Sequence, residues 1–295
     1  DGPITGGNGI HFDSGVGVQN LTASAEGAEL TVGLAMTNIT FGTSSASSSS
    51  LALGYNHACG ILDNGSVKCW GADSSGRLGQ GTTTQVIGDA PGEMGDALAV
   101  TNLGTGRTAT SISAGLPTSS PHTCAVLDDG SVKCWGYNNF GQLGIGNTTT
   151  MGGAADKIGD NLAAVDLGTG RTAVDVSVGD RFSCALLDNG DVKCWGRNNN
   201  GQLGIGNTTT MGGAADEMGD NLAAVDLGTG RTAVAIAAGY DHVCAILDNG
   251  QVKCWGANGH GRLGIENTTY MGDGPNEMGD NLAYTSLGTG LTPVY

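Results

Sequence analysis

The chain has 295 residues, enough for a substantial core, yet only 14% are charged and the formal net charge is −16. Such a surface disfavours nucleic acid and anionic membranes, and no apolar run approaches the roughly 18 residues that span a bilayer. The 54 glycines follow no collagen period and belong to turns, which leaves Asn, Thr and Ser to carry much of the solvation.

The chain starts DGPITGGNGI, with no basic segment and no initiator Met, and this reads as a mature or excised chain. Residues 1–50 form an N-terminal extension: 28–41 (AELTVGLAMTNITF) suits two strands, and 43–50 has the composition of a Ser-rich linker. Residues 51–295 hold four copies of one segment: CGILDNGSVKCWG from Cys59, CAVLDDGSVKCWG from Cys124, CALLDNGDVKCWG from Cys184 and CAILDNGQVKCWG from Cys244. All 8 cysteines lie in these copies. Repeats of this kind bury their apolar faces against one another. The stretch GLPTSSPHT, with Pro117 and Pro121, marks a loop insertion between the first two copies.

In the first copy, two strands at 58–62 and 66–70 flank Asp63-Asn64-Gly65, a turn that places Gly65 in the left-handed region as a bulge residue. Leu62 then faces Ser66, Ile61 faces Val67 and Cys59 faces Cys69. The cysteines form a non-hydrogen-bonded pair with Cα atoms about 4.5 Å apart, at the short end of disulfide geometry. The predicted bridges are Cys59–Cys69, Cys124–Cys134, Cys184–Cys194 and Cys244–Cys254, with two facing thiols as the alternative. A zinc site is disfavoured, because no second close cysteine pair or regular histidine accompanies each pair. Paired cysteines favour an oxidising compartment, hence an extracellular or cell-surface protein.

Cys59, Ile61, Val67 and Cys69 share one face of this hairpin, and Leu62, Lys68 and Trp70 share the other. Both faces carry apolar groups, which predicts packing on both sides, as in a radial stack of sheets. Trp70, Trp135, Trp195 and Trp255 recur beside a glycine; packing between units is favoured over sugar stacking. Asp63, Asp128, Asp188 and Asp248 open the hairpin turns and are expected to cap them. His57, His122 and His242 hold one repeat position, with Phe182 in its place in the third copy. Since Phe is tolerated there, structural histidines bonded to nearby backbone are expected rather than a metal or acid–base ring.

Further strands are predicted at 173–178 (AVDVSV) and 233–238 (AVAIAA), each after a Gly-Thr-Gly turn at 168–170 or 228–230. The segment 207–226 reads as an elaborated loop with room for a short helix at 214–218. Its acids and their counterparts, Asp156, Asp160, Asp166, Asp216, Glu217, Asp220 and Asp226, read as solvated charge, with a calcium site as the alternative. Asn20, Asn38, Asn147, Asn207 and Asn267 lie in Asn-x-Thr sequons, candidate glycosylation sites. The aromatic and Asn-rich tips at Tyr137, Phe140 and His260 are candidate ligand contacts. No spacing assembles a catalytic constellation, so no enzyme, cofactor or metal is expected. The last residues, 291–295, fall in phase with the AVAIAA-type strand and would complete the first repeat's sheet.

The segments YNHACGILDNGSVKCWGADSSGRLGQG, PHTCAVLDDGSVKCWGYNNFGQLGIG, RFSCALLDNGDVKCWGRNNNGQLGIG and DHVCAILDNGQVKCWGANGHGRLGIE resemble repeats of the regulator of chromosome condensation family. The resemblance rests on an Asp-x-Gly turn, then Val and Trp-Gly, then Gly-Gln/Arg-Leu-Gly. It implies an all-β, RCC1-like β-propeller. With four clear repeats against the family's usual seven blades, the expectation is a small closed ring of four or five blades; the alternative is an open arc or a fragment completed by assembly. The paired cysteines resemble those of secreted or surface bacterial and algal members. The nuclear member's nucleotide exchange and chromatin contact do not carry over, because the charge is wrong for DNA and none of its binding residues can be assigned. The expected function is an extracellular structural or protein-recognition module that self-associates through repeated loops and the N-terminal strand segment. The alternative is a lectin-like surface protein with a glycan or other ligand. Nucleic acid binding and membrane insertion are not expected.

Overall fold

The computed structural model describes residues 50–83, 86–115, 121–288 and 293. The readings made on residues 1–49, including Asn20 and Asn38, and on the terminal strand, apart from Pro293, lie outside the described residues. The described residues fall within one compact unit, Ser44–Tyr295.

Four antiparallel sheets follow one another in chain order. The first contains β1 (Leu51–Leu53), β2 (His57–Ile61), β3 (Val67–Ala72) and the short β4 (Val86–Ile87). The second contains β5 (Ala109–Ala114), β6 (His122–Leu127) and β7 (Val132–Gly136). The third contains β8 (Ala173–Val178), β9 (Phe182–Leu187) and β10 (Val192–Gly196), and the fourth β11 (Ala233–Ala238), β12 (His242–Leu247) and β13 (Val252–Gly256).

The hairpin register is the one the turn dictates. Ile61 pairs with Val67 and Cys59 with Cys69, and Leu62 N–H donates to Ser66 O at 2.8 Å. Gly65 has φ +76°, a conformation a side chain would strain. All four disulfides form, with Cα atoms 4.0–4.1 Å apart, the close approach of a non-hydrogen-bonded pair. The long loops contain 3-10 turns rather than one short helix: Ala215–Glu217 and Gly219–Asn221 take the place of the helix expected at 214–218. The same loops return to the sheets through single bridges at Gly136–Met151, Gly196–Met211 and Gly256–Met271, where the first sheet has β4.

The cysteine face of each sheet packs on the tryptophan face of the next. Cys59, Val67, Cys69 and Leu78 meet Ala125, Leu127 and Trp135. Cys124, Val132, Cys134 and Leu143 meet Ala185, Leu187 and Trp195. Cys184, Val192, Cys194 and Leu203 meet Ala245, Leu247 and Trp255. Trp135, Trp195 and Trp255 are fully buried, and each indole N–H donates to a carbonyl of the preceding repeat, that of Arg77, Gln142 or Gln202, at 2.9–3.1 Å. Trp70 has no preceding sheet among the described residues and is half-buried. The first strands β1, β5, β8 and β11 line a common cleft of about 310 Å³. The described strands form no closed sheet, so the closed ring is not made by pairing among them.

This arrangement ranks the four tryptophans. Trp195→Ala removes a buried ring and its hydrogen bond and is expected to cost about 3–5 kcal/mol; Trp70→Ala is expected to cost less than half as much. Urea unfolding of both variants checks the ranking, and equal losses would contradict it.

Candidate functional site

The sheets present two chemically different ends. At the hairpin-turn end, polar side chains hold the loops. The expected capping of the turns by the Asp series is corrected by one position: Asn64, Asp129, Asn189 and Asn249 accept the N–H groups of Ser66, Ser131, Asp191 and Gln251. The aspartates one residue earlier reach the preceding turn instead. Asp128, Asp188 and Asp248 accept from the N–H of Thr108, Thr172 and Thr232 and pair with Arg107, Arg171 and Arg231 at 3.2, 3.5 and 3.3 Å. The ammonium groups of Lys133, Lys193 and Lys253 each donate to two carbonyls, those of Leu103 and Gly159, Leu167 and Gly219, and Leu227 and Gly279.

The acids weighed as calcium ligands serve the same loops. Asp160 and Asp220 accept from the hydroxyl and the N–H of Thr105 and Thr169, bonds that hold both carboxyls below their usual range. Asp166 and Asp226 accept from Gly168 and Gly228, and Glu217 accepts from Gly213 and Ala214. Asp156 and Asp216 are exposed. Among the described residues, no three His, Cys, Asp or Glu side chains gather as a metal site. In the sequons, Asn147, Asn207 and Asn267 are exposed, and their side-chain oxygens accept from Thr149, Thr209 and Thr269 N–H in local Asx turns.

At the opposite end, where the second strand of each sheet begins and the third ends, the histidine position links neighbouring sheets. His57 Nε2 lies 3.0 Å from Thr123 Oγ1, and His122 Nε2 lies 2.8 Å from Ser183 Oγ. Both hydroxyls donate onward, to Arg77 O and Gln142 O, so each imidazole Nε2 carries the proton and donates. Where Phe182 replaces histidine, its neighbour in the next sheet is the apolar Val243, buried in the same cluster. The expected backbone partners are thus replaced by hydroxyls of the next sheet. These side chains sit on separate sheets; His57, His122 and Phe182 are each occupied by a neighbour in the next sheet, and among the described residues they do not gather as a metal site.

Around that end stand Tyr55 and Tyr240, 59% and 51% exposed. The Arg181 guanidinium lies 5.2 Å from the Phe140 ring centre, and Arg181 holds φ +61°, sparsely populated for a residue with a Cβ. Asp180, buried beneath, pairs with Arg197 at 3.0 Å and Arg181 at 3.5 Å, and its charge raises the Tyr240 phenol above its usual range. Phe140 is therefore brought to Arg181. Tyr137, half-buried, lies in the same loop as Phe140, while exposed His260 lies two sheets further on; the three candidate ligand contacts do not share one site. Arg181, Asp180 and Tyr240 were not singled out from sequence. Their signal is divergence: residues 141–174 and 201–234 are almost identical, but the GDRF that follows the first and the GYDH that follows the second differ. A second unheralded group is Asp175 in the central cleft. It accepts from Ser111 Oγ at 2.6 Å, and burial raises its carboxyl.

The His57 link carries a pH signature. Burial, with the nearby Arg77 charge, lowers the His57 pKa from 6.5 to about 3. A depressed folded-state value means that the stabilisation is complete above 6.5 and is lost as pH falls from 6.5 towards 3. The loss has an upper limit of about 1.4 kcal/mol per pH unit. A double change, His57→Phe with Thr123→Val, copies the Phe182–Val243 pair and is expected to fold while flattening this part of the stability–pH curve. Chemical denaturation between pH 7 and pH 4, of the order of the unperturbed histidine range, checks it; an unchanged slope would contradict it.

Residues 49–77, 120–142, 173–202 and 233–262 match the family model described as Regulator of chromosome condensation (RCC1) repeat. The chain is 28% identical over 219 residues to human E3 ubiquitin-protein ligase HERC2, covering 74% of this chain and 4% of that protein. It is 28% identical over 224 residues to the Arabidopsis thaliana ultraviolet-B receptor UVR8, covering 74% and 43%. Prp20p from Saccharomyces cerevisiae shares the fold, with a TM-score of 0.56 at 20% identity over 80% of this chain and 50% of that one. The chain thus spans less than half the length of these curated relatives. The expected extracellular or cell-surface location is corrected by them: HERC2, UVR8 and the further relatives HERC5 and RUG3 are nuclear, cytoplasmic or mitochondrial. The narrower likeness to secreted or surface members has no support among these proteins. Cysteines facing across a hairpin follow from register, and register does not name a compartment. The chain thus carries four repeats that match the regulator of chromosome condensation (RCC1) repeat model.

Proposed function

We propose that this chain is a non-catalytic recognition module for a partner polypeptide, which it engages with the aromatic and arginine end of its sheets. One observation carries the reading: Arg181 lies over Phe140 and is braced by buried Asp180, beside the exposed ring of Tyr240. Tyr, Trp and Arg dominate the energetics of protein interfaces, and a pre-organised guanidinium loses little freedom on binding. The recurring polar groups elsewhere are consumed by the scaffold. Lysines hold carbonyls, aspartates hold Thr turns and histidines hold neighbouring hydroxyls, which leaves the divergent end for recognition.

Similar structures support a protein partner by analogy. One is of yeast RCC1 (Prp20) with Kap60, and the work on Prp20p concerns its binding to Gsp1p and histones. The ligase activity of HERC2 stays with that protein, of which the match covers 4%. A lectin-like site lacks comparable support, since Phe140 already lies against Arg181 and His260 stands apart from it.

The test is binding to partners identified by cross-linking and mass spectrometry, compared with Arg181→Ala and Tyr240→Ala. Each change is expected to weaken a direct partner by about tenfold or more, the range of an interface hot spot, with the thermal midpoint unchanged. Undiminished binding by both variants would contradict the proposal. So would a glycan-array signal abolished by Tyr137→Ala, which would return the ligand to carbohydrate.

A further inference from the structure

Three times along the chain, one set of groups receives the next sheet. Gly76, Gly141 and Gly201, with φ of +71° to +72°, approach the following loop so closely that an added Cβ would fall 2.2–2.3 Å from the backbone nitrogen of Gly153, Gly213 or Asp273. Gly79, Gly144 and Gly204 abut the indoles of Trp135, Trp195 and Trp255 in the same way, at 2.7–2.9 Å. Between each glycine pair lies the carbonyl that accepts the indole N–H.

The fourth sheet carries the same set, Gly261-Arg262-Leu263-Gly264, with no described occupant. A Cβ on Gly261 would meet nothing within 4 Å, and the nearest neighbours of Gly264 belong to Thr285 of its own repeat. On this face Cys244, Ile246 and Val252 are half-buried, whereas their counterparts in the third sheet, Cys184, Leu186 and Val192, are at most 2% exposed. The first sheet displays the matching half. Trp70 is half-buried, and Gly88-Asp89 stands where the fourth repeat has Gly272-Asp273, with φ +97° at Gly88 against +89° at Gly272.

We propose that these two faces join in trans: the fourth sheet of one copy receives the first sheet of a second copy, head to tail, by the contact already made three times within the chain. One position departs from the pattern. His57 and His122 meet hydroxyls and Phe182 meets Val243, but His242 would meet Ala58, which offers neither a hydroxyl nor bulk. The joint between copies is therefore weaker than the internal ones. Because its two surfaces differ, it propagates beyond two copies unless the rotation closes a ring.

Sedimentation velocity of the full chain over a range of concentrations tests this, with three variants. Ala58→Thr supplies the missing hydroxyl at a half-buried strand position and is expected to tighten association about three- to tenfold, the worth of one neutral hydrogen bond. Gly261→Asn keeps a left-handed backbone within reach of its side chain and has open space in a single copy, yet would strike the incoming Gly88 loop; it is expected to weaken association at least tenfold. Arg181→Ala is expected to associate like the wild type, which separates this joint from the recognition end. A wild-type chain that stays monomeric at the highest concentration would overturn the proposal. So would association that ignores both Ala58→Thr and Gly261→Asn, since that places the contact elsewhere, residues 1–49 included.

Discussion

The structure depends on how closely one sheet can approach the next. A tryptophan indole hydrogen-bonded to a carbonyl needs that carbonyl bare of side chains on either side, and the glycines of the Gly-Gln/Arg-Leu-Gly tract provide this. The ring then fills the space over the neighbouring disulfide and valine, and most of the apolar burial follows from that approach. Each disulfide sits at the centre of the receiving face, where it holds the hairpin register that aligns Val67 with Ile61 and their counterparts. A shift of one residue would turn the cysteine face away from the next tryptophan.

Around this core the two ends divide the labour. At the turn end, a lysine, an arginine and several carboxylates knit each long loop to the sheet through backbone carbonyls and threonines, as Lys193, Arg171, Asp188 and Asp220 do. Much of the acidity of these loops is spent on internal bonds. At the other end the histidine, or its phenylalanine substitute, joins sheets below the surface, while the residues immediately outside it vary from repeat to repeat. Asp180 stands where the first and fourth sheets have Tyr55 and Tyr240, and Arg181 stands where the other three have Asn56, Pro121 and Asp241. A scaffold repeated with little change and a rim that differs at each repeat is the arrangement a recognition surface requires.

The hairpins were readable from sequence because a turn of known length fixes register, and register fixes which side chains face one another. Cys59 opposite Cys69 followed from Asp63-Asn64-Gly65 alone. Packing of both hairpin faces was readable because Val67 and Trp70 point to opposite sides and both are apolar. The histidine partners were not readable, since Thr123 lies 66 residues from His57 and comes near it only when two sheets stack. For the same reason Asp128 could not be assigned to Arg107 and Thr108 of the preceding turn. Ring closure also escapes a local pattern: it depends on whether the faces at Trp70 and Gly261 meet something, and nothing within one repeat records that. The compartment was misread because a local feature, the cysteine spacing, was asked to report on a cellular one.

The central claim is that three indoles are sealed by a neighbouring sheet and one is not. Hydrogen exchange at the four Trp Nε1–H groups, followed by NMR in dilute protein, measures this directly. The account predicts slow exchange at Trp135, Trp195 and Trp255 and fast exchange at Trp70, with Trp70 slowing as the protein is concentrated. Four indoles exchanging alike at every concentration would contradict it.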